Sequence, residues 1–144
     1  MRVTSLFLAD HAQAVNGKLY VTGGAWDTIN ARAFPVTHPH LSVCLALEVG
    51  WEDHNREVRV EVKLLDADGR SLLPGPVGGV TTARRGPDAE PGDTTPLLLV
   101  FNLLGLRFDR PGDNTVSVEI DGVPSGHVRL KVRQRGAHPQ PPAP

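Results

Sequence analysis

The sequence predicts an all-β fold, a single two-sheet antiparallel β-sandwich of seven or eight strands with an immunoglobulin-like or a jelly-roll topology. Apolar residues recur at every second position through most of the chain, which is the period of a strand, and hardly anywhere at helical spacing. The 15 glycines and 13 prolines cluster between these segments, as turn residues do. Because 144 residues suit one core, we assign the domain to residues 1–134 and a disordered Pro-rich tail to residues 135–144.

Four segments in the first half of the chain have strand periodicity. They are residues 3–9, 18–27, 41–49 and 57–65. Residues 10–15 are predicted as an irregular loop, and Asn16-Gly17 as the turn of a hairpin, because Asn-Gly accepts the positive φ angles of tight turns. Residues 33–39 contain two prolines, which favour an extended crossing from one sheet to the other.

Four further segments in the second half are predicted as strands. They are a short edge strand at residues 77–83 and the segments 97–108, 115–121 and 127–134. Residues 66–70 form a turn around Asp-Gly, and residues 84–95 form a long surface loop. Matching the apolar faces of the last two strands places Val118 opposite Leu130 and Glu119 opposite Arg129.

Composition excludes several classes of partner and predicts the compartment. The 15 basic and 16 acidic residues nearly balance, so we expect neither nucleic acid nor a membrane as a partner. The first residues imitate a signal peptide, but Asp10 and His11 stand where a cleavable peptide is small and uncharged. Cys44 is the only cysteine, which fits a reducing compartment. We therefore expect a cytoplasmic protein.

An apolar strand suggests an interaction surface. Residues 97–101 are continuously apolar, so the strand must be covered on both faces, by the chain itself or by another chain. The outward face of the strand at 41–49 is small and only half polar. Trp51 lies in a polar hairpin loop, where an exposed indole can anchor a partner. The predicted partner-binding residues are therefore Trp51, Leu97, Leu99, Phe101 and Cys44.

His38 and His40 are the candidate metal ligands. Two imidazoles at this spacing can chelate from one face of a strand, which makes a cupin-like metal-dependent enzyme an alternative function. Glu48, however, lies a full strand length further on, and Pro39 indicates a loop. Two solvated histidines in a proline-bent connection explain the motif better. We therefore predict no bound metal, no cofactor and no catalytic residue.

Other motifs have plainer explanations. Trp51 can also stack on a sugar, which keeps a carbohydrate-binding module as a further alternative. Asp66 and Asp68 can hold calcium, but aspartates in an Asp-Gly turn are more commonly there for the turn itself. Gly23-Gly24 lacks the Gly-Lys-Ser/Thr ending of a phosphate loop, and no G-x-S-x-G elbow is present.

Residues 8–29 are the most particular stretch of the chain. They read Leu-Ala-Asp at 8–10, Ala-Gln at 12–13, Gly-Lys-Leu at 17–19, Gly-Gly at 23–24 and Trp26. This pattern resembles the opening of a family of small bacterial all-β proteins of unknown function. Phe101-Asn102, Pro111-Gly112 and Asp121-Gly122 resemble its later part, whereas Ala25 and Asn114 depart from it. The resemblance implies the fold and no activity.

The leading functional prediction is a non-catalytic module that binds a protein partner or self-associates as a homo-oligomer. It follows from the apolar segment at residues 97–101 and from the small outer face around Cys44.

Overall fold

Alternating apolar residues produce nine strands within residues 1–136, the part of the chain that the computed structural model describes. The strands are β1 (Arg2–Val15), β2 (Lys18–Trp26), β3 (Thr28–Ala31), β4 (Val36–Val49), β5 (Glu57–Leu65), β6 (Val77–Thr82), β7 (Thr95–Phe108), β8 (Gly112–Ile120) and β9 (Val123–Gln134). A short 3-10 helix, Trp51–Asp53, follows β4. The all-β prediction is confirmed, but the strand number is higher because β3 alternates over only four residues, which is too short for a clear strand pattern in the sequence.

The strands form two sheets. One has four strands in the order β2-β1-β4-β7, and the other has five in the order β3-β9-β8-β5-β6 and curls into a half-barrel. Strands from both sheets contribute alternate residues to one apolar core, with Val43 of β4, Val60 of β5 and Val118 of β8 among its members. Each such side chain contributes roughly 1.5–3 kcal/mol by its burial. The predicted inward faces of these strands are confirmed.

The β1–β2 hairpin closes through the predicted Asn16-Gly17 turn. Both residues have positive φ angles, 49° and 73°, and Val15 pairs directly with Lys18. The predicted loop at residues 10–15 is wrong, because this segment continues β1 and pairs with β2 along its whole length. Polar residues interrupt the apolar alternation in this segment, so the sequence pattern does not indicate a strand there.

The distal half of this hairpin lies against the outer face of β4. Ala12 packs with Ala9 and Cys44 in a second, smaller apolar cluster, to which Leu19 and Val100 add their side chains. Cys44 is completely buried as a result. Small side chains on the outer face of β4 thus allow another layer of the same chain to approach closely.

A short connection at residues 32–35 crosses from β3 in one sheet to β4 in the other. The predicted crossing is confirmed, but it ends earlier than expected, so His38-Pro39-His40 belongs to β4 and not to a loop. The β4–β7 ladder runs from His38 to His40 without a pair at Pro39. A proline is tolerated in this strand because no ladder bond is required of it there.

The predicted register of the last hairpin is wrong by four residues (130 minus 126), since Val118 pairs with Gly126 and Leu130 pairs with Asn114. Glu119 lies opposite Pro124, and Arg129 lies opposite Thr115. A two-residue turn at residues 121–122 starts β9 four residues earlier than predicted. Because the shift is even, each strand keeps its apolar face toward the core.

Several other expectations concern the ends and edges. The predicted edge strand is confirmed as β6, the last strand of the five-stranded sheet. Of the predicted tail, Arg135 donates its backbone N–H to the Ala31 carbonyl at 2.9 Å, and residues 137–144 lie outside the described residues. Residues 1–136 include no helix of the length and apolarity needed to cross a membrane.

Candidate functional site

The β7 strand ends the four-stranded sheet, and its second edge has no strand partner within residues 1–136. The strand is 14 residues long, and its residues 95–104 carry no charged side chain. Leu104, the last residue of this uncharged segment, is 70% exposed. Natural proteins usually protect such an edge with charges, bulges or a covering segment. An open edge of this length and composition is suited to receiving another strand.

The side chains predicted to bind a partner occupy the less accessible face of this strand. Leu97, Leu99 and Phe101 are half-buried and pack against the main core. Cys44 is fully buried beneath the hairpin, and burial raises the pKa of its thiol to about 11. Leu104, which the sequence reasoning did not single out, is the apolar side chain that β7 exposes most. The order of strands in the sheet, which a single sequence does not contain, was needed to find it.

The direction of the backbone groups on β7 follows from a contact on β1. Thr4 donates its hydroxyl to the Ala46 carbonyl at 3.1 Å, so the Ala46 backbone faces β1. Ala46 lies opposite Leu98, and in an antiparallel ladder each residue directs its N–H and C=O to the same side. Leu98 therefore directs its backbone groups away from β4, and the other even-numbered residues up to Leu104 do the same.

A cleft of about 510 Å³ lies beside this edge, between β7 and the tip of the β1–β2 hairpin. The hairpin contributes residues 12–15, and β7 contributes Leu98, Val100 and Asn102. The cleft gives side chains of an added strand a place on the outer face of the sheet.

His38 and His40 contact different neighbours. The His38 ring meets Trp26 edge-on at 5.8 Å between centroids, and burial lowers the pKa of His38 below its usual range. The His40 ring lies 5.3 Å from the His11 ring. Residues 1–136 contain no group of three His, Cys, Asp or Glu side chains arranged to hold a metal ion. The third ligand that the cupin hypothesis requires is therefore not found in this part of the chain.

His40 instead joins a polar network across β4 and β7. Its Nε2 atom lies 3.1 Å from Asn102 Oδ1 and 3.2 Å from Ser42 Oγ. Because the amide oxygen only accepts hydrogen bonds, Nε2 carries the proton in this contact. Ser42 also donates to Asn102 Oδ1 at 2.6 Å and accepts the backbone N–H of Ala12 at 3.1 Å. The network ties the hairpin to the sheet.

Trp51 contacts Arg85, which lies in the loop between β6 and β7. The Arg85 guanidinium lies 3.4 Å from the centroid of the indole ring and donates to the Trp51 carbonyl at 2.8 Å. His54 meets the same ring edge-on at 6.1 Å. The indole is half-buried, and one of its faces is occupied by a cation–π contact. The carbohydrate-binding hypothesis needs an aromatic face that is free to stack on a sugar. Arg85 already covers one face of the Trp51 ring, so less of the ring is free for stacking.

The aspartates considered as calcium ligands support their own turn. Asp66 accepts the backbone N–H groups of Asp68 and Arg70, both at 2.9 Å, and the bond from Arg70 is the main reason why the pKa of Asp66 is lowered. Asp68 lies 3.5 Å from the Arg110 guanidinium. A cleft of about 550 Å³ opens here, but its carboxylates already have partners within the chain.

Comparison with protein families agrees with the predicted resemblance to an uncharacterised family. The pattern of a family of unknown function (DUF6941) matches residues 4–133, from β1 into β9. No curated protein matches the chain. Since the match covers far more than half of the sequence, the chain belongs to this family of unknown function, DUF6941.

Proposed function

We propose that the protein is a non-catalytic interaction module whose β7 edge accepts an extended segment of a protein partner. The observation that carries the proposal is the unpaired, uncharged edge at residues 95–104. Strand addition gains affinity from backbone hydrogen bonds and specificity from pockets for alternate side chains. The outward backbone groups of β7 and the adjoining cleft offer both.

The other sheet edges are less suited to this role. The β2 edge begins with Lys18 and is distorted near Gly23 and Ala25, whose φ angles are 60° and 65°. The β6 strand has six residues with a Gly-Gly pair, and β3 has only four residues. Lysine, bulges and short length are the features that keep an edge from pairing. Within residues 95–104 of β7, Pro96 alone protects the strand in a similar way, and the distortion at Gly105, whose φ angle is 61°, lies beyond this stretch.

The proposal extends to the architecture and the compartment. The core shared by both sheets supports a sandwich in which the sheets face each other. A single buried thiol supports a reducing environment such as the bacterial cytoplasm.

Affinity capture from the cell of origin tests the proposed function. A lysine at an exposed apolar edge position opposes strand addition, so we compare the wild-type protein with Leu104→Lys. The matched control is Val123→Lys, because Val123 is 62% exposed and lies at the β8–β9 turn, away from β7. We expect the wild-type protein and the control to retain the same protein and Leu104→Lys to lose it. Equal retention by all three proteins contradicts the proposal.

A further inference from the structure

We infer that the strand received by the β7 edge is β7 of a second copy, which gives a two-fold symmetric dimer with one continuous eight-stranded sheet. The inference rests on the proposed function and names the partner at that edge. An exposed antiparallel edge can pair with itself around a two-fold axis, because each copy offers the same pattern of donors and acceptors.

The free part of the edge fixes where the axis lies. A small cleft joins the segment at residues 71–74 to Gly105, Leu106 and Arg107, so the far end of β7 has a neighbour within the chain. The remaining open stretch runs from Pro96 to Leu104, and its midpoint is Val100. We place the two-fold axis at Val100, whose backbone groups face outward like those of Leu98.

This register forms a regular ladder. Val100 lies opposite Val100 of the second copy, and Leu98 lies opposite Asn102 of the second copy. Leu104 lies opposite Pro96 of the second copy, which covers the most exposed apolar side chain of the strand. The pairing rule gives about eight backbone hydrogen bonds, because only the prolines lack a donor.

Charges beyond the two ends of the paired stretch agree with an antiparallel pairing of the two copies. Arg107 lies three residues beyond Leu104, and Asp93 lies three residues before Pro96, so antiparallel pairing brings the Arg107 end of one strand close to the Asp93 end of the other. The chain before β7 carries Asp88, Glu90 and Asp93. Arg107 is 66% exposed and in this structure binds Asp109, which is also exposed, so its guanidinium is accessible from solvent. In a two-fold dimer the acidic segment of each copy lies beside the basic end of the other copy, so the favourable contact occurs at both ends of the paired strands.

Sedimentation velocity on the purified full chain tests this inference. We expect the mass to rise with concentration from 15.5 kDa toward twice that value, about 31 kDa, at up to about 500 µM protein. Leu104→Lys should weaken dimerisation by about tenfold or more, while Val123→Lys should match the wild-type protein.

A charge exchange tests the antiparallel orientation of the two strands. Asp93→Arg and Arg107→Asp should each weaken dimerisation by about threefold, and the double variant should restore it. A dimer whose affinity is unaffected by Leu104→Lys overturns the inference, and so does a double variant that is weaker than both single variants.

The two proposals can fail separately. A wild-type protein that stays at 15.5 kDa throughout overturns the homodimer. If Leu104→Lys still abolishes capture of a different protein, the proposed function stands with another partner. If capture is also independent of Leu104, both proposals are overturned.

Discussion

Ser42 joins two parts of the four-stranded sheet through one buried hydroxyl group. It accepts the backbone N–H of Ala12 and donates to the side-chain oxygen of Asn102, so it links the hairpin, β4 and β7. Buried polar groups are stable only when they are hydrogen-bonded. Ser42 therefore helps to hold the hairpin beside the edge that we assign to partner binding.

Replacing Ser42 by alanine should destabilise the fold by about 1–3 kcal/mol, because the Ala12 N–H loses its acceptor while it remains buried. Urea unfolding measures the change in the free energy of unfolding. The exposed Ser5 supplies the control, since Ser5→Ala should cost about 0.5 kcal/mol or less. Equal losses in the two variants would show that the network contributes nothing specific.

His38 makes the stability depend on pH. Burial lowers its pKa in the folded protein below the ordinary value of 6.5, so the unfolded chain binds a proton that the folded chain resists. The contribution of His38 to the free energy of unfolding is therefore complete above about pH 6.5, and it is lost as the pH falls toward the folded-state pKa.

We expect the free energy of unfolding to fall between pH 7.5 and pH 5.5, and to fall less in His38→Gln. Urea titrations at several pH values in this window measure both slopes. His127 is exposed on β9, so His127→Gln should keep the wild-type slope. A His38→Gln slope identical to that of the wild-type protein would exclude His38 as the cause.

At the scale of elements, the β1–β2 hairpin depends on a close approach at Gly23. This residue has a φ of 60°, and a Cβ atom there would collide with the carboxylate of Asp10. The Trp26 indole donates to the Gly23 carbonyl at 2.9 Å, so the same residue positions the aromatic ring. The glycine of the opening motif thus has two structural tasks.

Gly23→Ala should cost about 1–3 kcal/mol, from the left-handed backbone and from the contact with Asp10. The loss should be smaller when the same change is made in an Asp10→Ala protein, because only the backbone strain then remains. Gly79→Ala is the control, since no atom lies within 4 Å of a Cβ atom at that position. Urea unfolding of the four proteins completes the cycle, and equal losses in both backgrounds would contradict the contact.

The elements that were predictable from sequence are those with one buried and one solvated face. In β5, Val58, Val60 and Val62 alternate with charged residues, and the strand lies where its period places it. The end of β1 was missed because its polar residues pair within a hairpin that packs on β4. The β8–β9 register was missed because Pro124 and Gly126 look like turn residues although they belong to β9.

The candidate site was only partly predictable for a related reason. Continuous apolar residues identified β7, but both of its faces looked alike in the sequence. Whether Leu97 or Leu98 faces the core depends on the register with β4, and whether an edge is free depends on strand order. Both depend on contacts between residues that are far apart in the chain.

At the scale of the whole molecule, little opposes association through β7. The net charge is −1, so two copies repel each other weakly. The fold protects its other edges by short length, lysine or distortion, and leaves β7 long, with no charge in residues 95–104. This distribution of edges supports the proposal that association uses β7.

Backbone amide exchange along residues 97–104, measured by NMR in the free and the associated protein, tests this account most directly. In the free protein the amides of Leu98, Val100, Asn102 and Leu104 should exchange fast, while the odd-numbered amides, bonded to β4, are protected. In the associated protein the even-numbered amides should become protected too. Even-numbered amides that exchange equally fast in both states would contradict the claim that β7 is the docking edge.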